Sequence, residues 1–429
     1  MIRLEFSALA AFTPSFKSLM QTKLKPEILA TPEGAEAEKI LRTCVHCGFC
    51  NATCPTYQLL GDELDGPRGR IYLIKQMLEG GEVSGKTQEH LDRCLTCRNC
   101  ESTCPSGVQY GKLLDIGRDL VERKVPRSPA ETIKRRALQR FIPSTGLFDP
   151  LLKAGRLARP FLPTALRAKV PLPPAPAGVW PQPRHSRRMV ALRGCAQPSI
   201  APNINAAAAR VLDRVGISLV EAEGAGCCGA LRFHLNYQEE GRSDMRRNTA
   251  LWSTELGRGA EALVMTASGC GVTVREYGHY LQHDAIFSKR AALVSAATRD
   301  LSEIVDSELA QLKPLLKLLR RPRRIAFHPP CSLQHGQKIR GVIERILTGL
   351  GFELTPVPDA HLCCGSAGTY SILQPELAQR LLLNKVSALT SGQPEAIVSA
   401  NIGCMTHLAS GAPVPVQHWI ELVDQQIGA

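Results

Sequence analysis

The chain has 429 residues, 44% of them hydrophobic, a net charge of +13 and sixteen cysteines. That length favours two to four domains and the apolar share suffices for cores without disulfide staples; a secreted disulfide scaffold, which belongs to short chains, is excluded in favour of metal in a reducing cytoplasm. No stretch reaches the roughly 18 apolar residues of a membrane span, and Met1 to Met20 makes a poor signal peptide, with Glu5 ahead of the short run Ala8 to Phe12 and Pro14 close behind.

Residues 1 to 35 read as an N-terminal extension in which Pro26 and Pro32 oppose continuous helix. Residues 36 to 125 hold two cysteine runs. Cys44, Cys47, Cys50 and Cys54 stand at C-x2-C-x2-C-x3-C before Pro55, and Cys94, Cys97, Cys100 and Cys104 repeat the spacing before Pro105. Three thiolates from one tight loop and a fourth beside a proline suit a cubane 4Fe–4S cluster. In two-cluster ferredoxins the last cysteine of each run serves the other run's cluster. Crossed ligation gives Cys44, Cys47, Cys50 and Cys104 for one cluster and Cys94, Cys97, Cys100 and Cys54 for the other. Structural zinc prefers two spaced pairs and is set aside. Glu36 to Leu41, Ile71 to Leu78 (stopped by Gly80-Gly81) and Gln88 to Leu91 have helical spacing, so this domain is expected to be all-helical.

Residues 126 to 188 read as a Pro-rich basic linker. Twelve of the thirty prolines fall between Pro126 and Pro183, which opposes a long uninterrupted helix. Fifteen Lys/Arg against Glu131 and Asp149 between Arg123 and Arg188 account for the whole charge surplus. Leu147-Phe148, Leu151-Leu152, Leu157, Phe161-Leu162 and Leu166 alternate with Lys153, Arg156, Arg159 and Arg167, an interrupted basic amphipathic pattern. Few aromatics and no recognised fold set nucleic acid aside. A solvated linker and a contact with anionic lipid remain, and the second is favoured because an electron carrier must deliver to something, and quinone lies in the membrane.

Residues 189 to 322 and 323 to 429 are a duplication. An offset of 136 carries Cys195, Cys227 and Cys228 onto Cys331, Cys363 and Cys364, and one of 134 carries Cys270 onto Cys404. Each copy predicts a strand (Met189 to Leu192; Ile325 to Phe327), a helix (Ala206 to Val215; Val342 to Leu350), a second strand (Ile217 to Val220; Phe352 to Pro356), Cys-Cys-Gly, a further helix, and a third strand (Ala262 to Met265; Ala396 to Val398). Alternation of this kind implies a parallel sheet, with the cysteines gathered at one edge. The fold class expected is therefore α+β multidomain: an N-terminal all-helical two-cluster ferredoxin domain, then two tandem α/β Cys-Cys-Gly repeat domains with parallel sheets.

These eight cysteines admit two readings, ligands of an additional iron–sulfur cluster or reduced, buried thiols. The repeats are similar to the cysteine-rich domain of heterodisulfide reductases, whose motif ends in C-x-x-C. Here the ends read Cys270-Gly-Val-Thr273 and Cys404-Met-Thr-His407, so each copy keeps four cysteines of five, with His407 a substitute ligand or an ordinary polar neighbour. Gly224-Ala-Gly226-Cys-Cys-Gly229 matches a dinucleotide fingerprint. It is rejected because it follows the second strand of its copy and the sister segment, His361-Leu-Cys-Cys-Gly365, lacks the first two glycines. No P-loop, flavin or nicotinamide site is evident and no catalytic residue is assigned. Hydride removal is a two-electron event and iron–sulfur clusters take one electron at a time, so a flavin on a partner must convert between them.

Paired ferredoxin runs followed by two Cys-Cys-Gly repeats resemble the iron–sulfur subunits of flavoprotein 2-hydroxyacid and glycerol-3-phosphate dehydrogenases, and among them the glycolate oxidase iron–sulfur subunits. The residues that carry this are Cys44-Val-His-Cys-Gly-Phe-Cys50, Gly61-Asp-Glu-Leu-Asp-Gly-Pro-Arg-Gly-Arg70, Leu91-Asp-Arg-Cys-Leu-Thr-Cys-Arg-Asn-Cys100, Gly194-Cys-Ala-Gln-Pro198, Cys363-Cys-Gly-Ser-Ala-Gly-Thr-Tyr370 and Asn401-Ile-Gly-Cys404. Met20-Gln-Thr-Lys-Leu resembles that family's usual start, which leaves residues 1 to 19 outside it. The resemblance implies an oxidoreductase complex. In it, FAD-binding subunits oxidise glycolate to glyoxylate and pass electrons through two 4Fe–4S clusters to a membrane quinone, with this chain cytoplasmic and peripheral on the inner face of the membrane. The alternatives are the matching subunit of an L-lactate or anaerobic glycerol-3-phosphate dehydrogenase, and a disulfide-reducing subunit like those of heterodisulfide reductases.

Overall fold

The structure, a computed structural model, describes residues 20–161, 163, 170–174, 176–315 and 322–427. The extension up to residue 19, and Leu162, Leu166 and Arg167 of the amphipathic pattern, lie outside the described residues.

The first region is helical throughout. Helix Pro32–Thr43 starts with proline in its first turn and Thr31 accepting the Gly34 N–H as cap, so Pro32 opens a helix rather than breaking one. Helices Pro67–Leu78 and Tyr110–Lys124 pack at the centre with Leu41, Ile74, Leu113 and Leu114 fully buried between them and Pro32–Thr43. Gly117 lets the two pack closely. A Cβ there would sit 2.6 Å from Ile74 Cγ1.

The segment expected as a linker carries two helices, Pro129–Phe141 and Thr145–Ala158. Pro129 occupies the first turn under a Ser128 cap, which costs no hydrogen bond, and Pro150 lies inside the second helix. Its charge surplus is partly cancelled by acids from elsewhere in the chain. Arg127 and Arg135 both reach Asp92, at 2.6 and 3.0 Å. Arg184 pairs with Asp213 at 2.6 Å, Arg187 with Glu261 and Glu308 at 3.0 and 2.8 Å, and Arg188 with Glu255 at 2.5 Å.

The duplicated copies each build a four-stranded parallel sheet. In the first, strands β1 (Arg187–Ala191), β2 (Ile217–Glu221), β3 (Leu263–Met265) and β4 (Thr298–Asp300) lie in the order β2-β1-β3-β4. In the second, β5 (Arg324–His328), β6 (Glu353–Leu354), β7 (Ala396–Ser399) and β8 (Val416–His418) repeat it as β6-β5-β7-β8. The fourth strand of each sheet goes beyond the three expected: β4 and β8 are edge pieces of three residues with no apolar run to signal them. Helix Leu301–Ser307, at the end of the first copy, packs on Val342–Gly349 of the second, where Arg345 meets Asp306 at 2.7 Å. Reciprocally, helix Trp419–Ile427 packs on Asn203–Asp213, where Arg210 meets Asp424 at 2.7 Å. One hydrophobic core runs through both copies. No helix among the described residues is long and apolar enough to cross a membrane.

Candidate metal centres

Each ferredoxin-type run is a loop clamped between helix ends. Helix Pro32–Thr43 ends at Cys44, the short helix Phe49–Ala52 follows, and Cys54 caps helix Pro55–Leu60. The second run repeats this with Gly85–Asp92, Asn99–Thr103 and Cys104. Both loops turn through left-handed residues, His46 and Gly48 in one, Thr96 and Arg98 in the other. Three of these four are not glycine, and such backbone persists only where the surroundings over-determine it.

These turns gather the thiols into two groups. Cys44, Cys47, Cys50 and Cys104 line one open recess with Arg68, Ile71 and Pro105, and Cys100 of the second run borders it too. Burial pushes the Cys50 thiol up to about 12, and the neighbouring Cys44, Cys104 and Cys47 add to it. Cys97 and Cys100 are raised mainly by burial, and both feel Cys54 and Cys94. The last cysteine of each run thus stands with the triplet of the other. Four thiols crowded together, from the exposed Cys47 to the buried Cys44, Cys54, Cys94 and Cys100, form in each group a donor set that fits a cation-rich cluster.

The surroundings of the second group are polar and ordered. Tyr110 donates its hydroxyl to Cys94 Sγ at 3.6 Å, and the Thr96 N–H points at the same sulfur from 3.4 Å. Arg118 fixes the loop through the carbonyls of Leu91 and Cys94, at 2.9 and 2.7 Å. Arg70 is fully buried, bound to Asp65 at 3.3 Å and to Thr56 Oγ1 at 3.2 Å, with Thr56 Oγ1 in turn 3.3 Å from Cys54 Sγ. Asp65 is shared with His90 and Arg93. Sequence reasoning quoted Arg70 within a motif and gave it no chemical role; an arginine directly ahead of the apolar run Ile71-Tyr-Leu-Ile74 was the available signal.

In the duplicated copies the strand order reverses beside β1 and β5, and open α/β sheets hold ligands at that crevice, outside the C-terminal strand ends. The cysteines lie there. Cys195 and Cys270 line a recess with Gly194, Gln197 and Thr266. Cys227 is held low by hydrogen bonds from Cys195 and then Cys228, and Cys228 is pushed up by its bonds to Cys227 and Cys270, so the four thiols form one chain. In the second copy Cys331 Sγ and Cys363 Sγ are 3.9 Å apart, and the Cys364 thiol is hydrogen-bonded to those of Cys363 and Cys404. The N–H of Gly229 and that of Gly365 each reach the first sulfur of their own Cys-Cys pair at 3.4 Å. His407 points a ring nitrogen at the Ala378 carbonyl, 3.3 Å away. The histidine grouped with Cys364 and Cys404 is His328, which sequence reasoning did not single out.

The two copies meet the helical region differently. The first is joined to it by polar contacts, such as Arg98 to Glu276 at 2.6 Å and Asn236 to Glu122 at 3.1 Å. The second brings thiol to thiol: Cys97 and Cys331 share an apolar cluster with Leu95, Cys363, Tyr370 and Leu381. Tyr370 donates to the Arg93 carbonyl at 3.1 Å, Asn99 to that of His361 at 3.3 Å, and His335 Nδ1 lies 2.9 Å from Ser102 Oγ.

Comparison with known proteins agrees with this division. Residues 40–108 match the 4Fe-4S dicluster domain, and residues 189–275 and 325–409 each match the Cysteine-rich domain. A solved structure of a hypothetical protein from Helicobacter pylori shares the fold, with a TM-score of 0.54 at 9% identity over 92% of this chain and 72% of that one. Lactate utilization protein A of Anoxybacillus flavithermus is 24% identical over 52% of this chain and 93% of its own. The probable glycolate oxidase iron-sulfur subunit of Bacillus subtilis is 30% identical over 86% of this chain and 89% of its own. The glycolate oxidase iron-sulfur subunit of Escherichia coli is 57% identical over 95% of this chain and 99% of its own. With two ferredoxin-type thiol groups, two cysteine-rich copies and a relationship of that extent, the chain belongs to the family of glycolate oxidase iron–sulfur subunits.

Proposed function

We propose that this chain is the electron-transfer subunit of a flavoprotein glycolate dehydrogenase. FAD-binding partner subunits remove two electrons and two protons from glycolate to leave glyoxylate, and a membrane quinone is the final acceptor. The observation that carries the reading is the grouping of the ferredoxin-type cysteines into two fours, with Cys97 set against the thiols of the second cysteine-rich copy. Relatives named for glycolate match most of the chain and those named for lactate about half, which favours glycolate over the L-lactate alternative.

In this proposal Cys44, Cys47, Cys50 and Cys104 hold one 4Fe–4S cluster, and Cys94, Cys97, Cys100 and Cys54 hold the other. When bound, each cluster takes up and releases one electron at a time. The residues around them set the terms. The Tyr110 hydroxyl and Thr96 N–H stabilise negative charge on Cys94, and the buried Arg70 cation offsets thiolate charge near Cys54 and Cys94, where no water can do so. Leu95, Tyr370 and Leu381 pack around Cys97 and Cys331.

The chain is cytoplasmic and peripheral on the inner face of the membrane. Exposed Leu147, Leu151 and Leu157 on helix Thr145–Ala158, with exposed Lys153, support an interfacial contact with anionic lipid. Arg156 and Arg159 are turned inward to the carbonyls of Pro171 and Val170, both at 3.2 Å, so they contribute less to it.

Two measurements test this. The isolated chain is expected not to oxidise glycolate, and glycolate-dependent dye reduction by the pure, flavin-free subunit would refute the division of labour. The untagged flavoprotein that copurifies with the chain should prefer glycolate; a preference for lactate or glycerol 3-phosphate would move the substrate to the other branch of the family.

A further inference from the structure

The duplication holds at the cysteines and fails beside them. Leu192 follows β1 and is buried in the apolar core of the first copy. Its counterpart at the offset of 136 is His328, the last residue of β5. The His328 side chain is 1% exposed, and neither ring nitrogen has a hydrogen-bond partner. A buried polar group left in that state is destabilising, which a sequence could avoid by keeping the leucine of the first copy. What faces the ring is sulfur. One imidazole nitrogen and the Sγ atoms of Cys364 and Cys404 all lie within 4.8 Å of one another.

The other polar groups nearby are already engaged. Lys385 donates to the Asp359 carbonyl at 2.7 Å, and Ser399 Oγ is bound to the His328 carbonyl at 3.1 Å rather than to its ring. Two thiols and an imidazole, with Cys363 and Cys331 adjoining, form a soft donor set that selects zinc or the iron of a cluster over hard, oxygen-seeking cations. We infer that His328, Cys364 and Cys404 are ligands of a thiophilic metal centre in the second cysteine-rich copy. Its nitrogen ligand is one the first copy cannot supply. None of the ferredoxin-type cysteines takes part, so this inference stands or falls apart from the relay reading.

The test uses the full chain, purified without oxygen, with iron and zinc counted against protein. Metal beyond the roughly eight irons of two cubanes is expected, and it is expected to be lost in His328→Ala and kept in Leu192→Ala. In the wild-type protein, X-ray absorption at the zinc edge or pulsed EPR on ¹⁵N-histidine-labelled iron protein should find histidine nitrogen at that extra metal, and which of the two does so identifies it. The wild-type measurement also decides the matter if His328→Ala does not fold. No metal beyond the ferredoxin iron, an extra centre ligated by sulfur alone, or retention of both metal and nitrogen signal in His328→Ala would overturn the inference. A shortfall in the eight irons themselves would count against the relay reading instead.

Discussion

The two cysteine-rich copies share strand order, cysteine placement and the amide that points at the Cys-Cys pair, yet they stand in different company. The first places Leu192 beside its thiols and meets the helical region through ion pairs and amides. The second places His328 beside its thiols and meets Cys97 across an apolar contact. Duplication therefore preserved the scaffold while the site diverged. Function is to be sought where the copies differ, and stability where they agree.

The largest expected effect separates the copies by function. With the partner flavoprotein present, Cys97→Ala or Cys331→Ala should leave flavin reduction by glycolate intact and stop delivery to quinone. Cys195→Ala should leave delivery running. Equal losses from Cys331→Ala and Cys195→Ala would put both copies on the route and remove the distinction.

The next prediction concerns what the copies share. Gly229 and Gly365 are left-handed, at φ 85 and 90°, and a Cβ on either would lie 2.6 or 2.7 Å from the carbonyl oxygen of Gly241 or Ala378. Gly229→Ala and Gly365→Ala should each destabilise the fold by about 2–3 kcal/mol in denaturant unfolding, strain and clash together. A large cost in one copy only would mean the scaffolds are less alike than their backbones.

A smaller effect comes from the contact unique to the second copy. Burial holds the His335 imidazole down at about 4, against an ordinary 6.5. Between those values the unfolded chain binds a proton that the folded chain refuses. Its contribution to stability is therefore complete above pH 6.5 and is lost as the pH falls toward 4. His335→Gln should flatten that slope in unfolding measured across this window; an unchanged slope would place the acid sensitivity elsewhere. The smallest effect is on the surface. Lys153→Glu should weaken binding of the isolated chain to anionic vesicles by about 1 kcal/mol per charge removed, with salt doing the same. No binding at low salt would return helix Thr145–Ala158 to a solvated role.

How much of this was legible depends on how local each signal is. Three of a cubane's ligands come from one short loop and the fourth from a matching loop, so the repeated spacing singled out the eight ferredoxin-type cysteines, and the offset of 136 exposed the duplication. Strands β4 and β8 were missed because three residues at a sheet edge need no apolar run. The basic segment was legible only as charge counted along the chain; that Asp92, Asp213 and Glu261 pair with Arg127, Arg184 and Arg187 through space, and so offset part of it, needed the fold. His328 was invisible to a reading that followed cysteines, although laying the copies on one another would have set it against Leu192.

The most direct test of the central claim is the metal content and low-temperature EPR of the anaerobically prepared chain. The account predicts about eight irons in the ferredoxin-type region and a cluster signal on reduction, with Cys104→Ser disturbing the cluster of the first run and Cys54→Ser that of the second. Zinc in place of iron, with no signal after reduction, would contradict it.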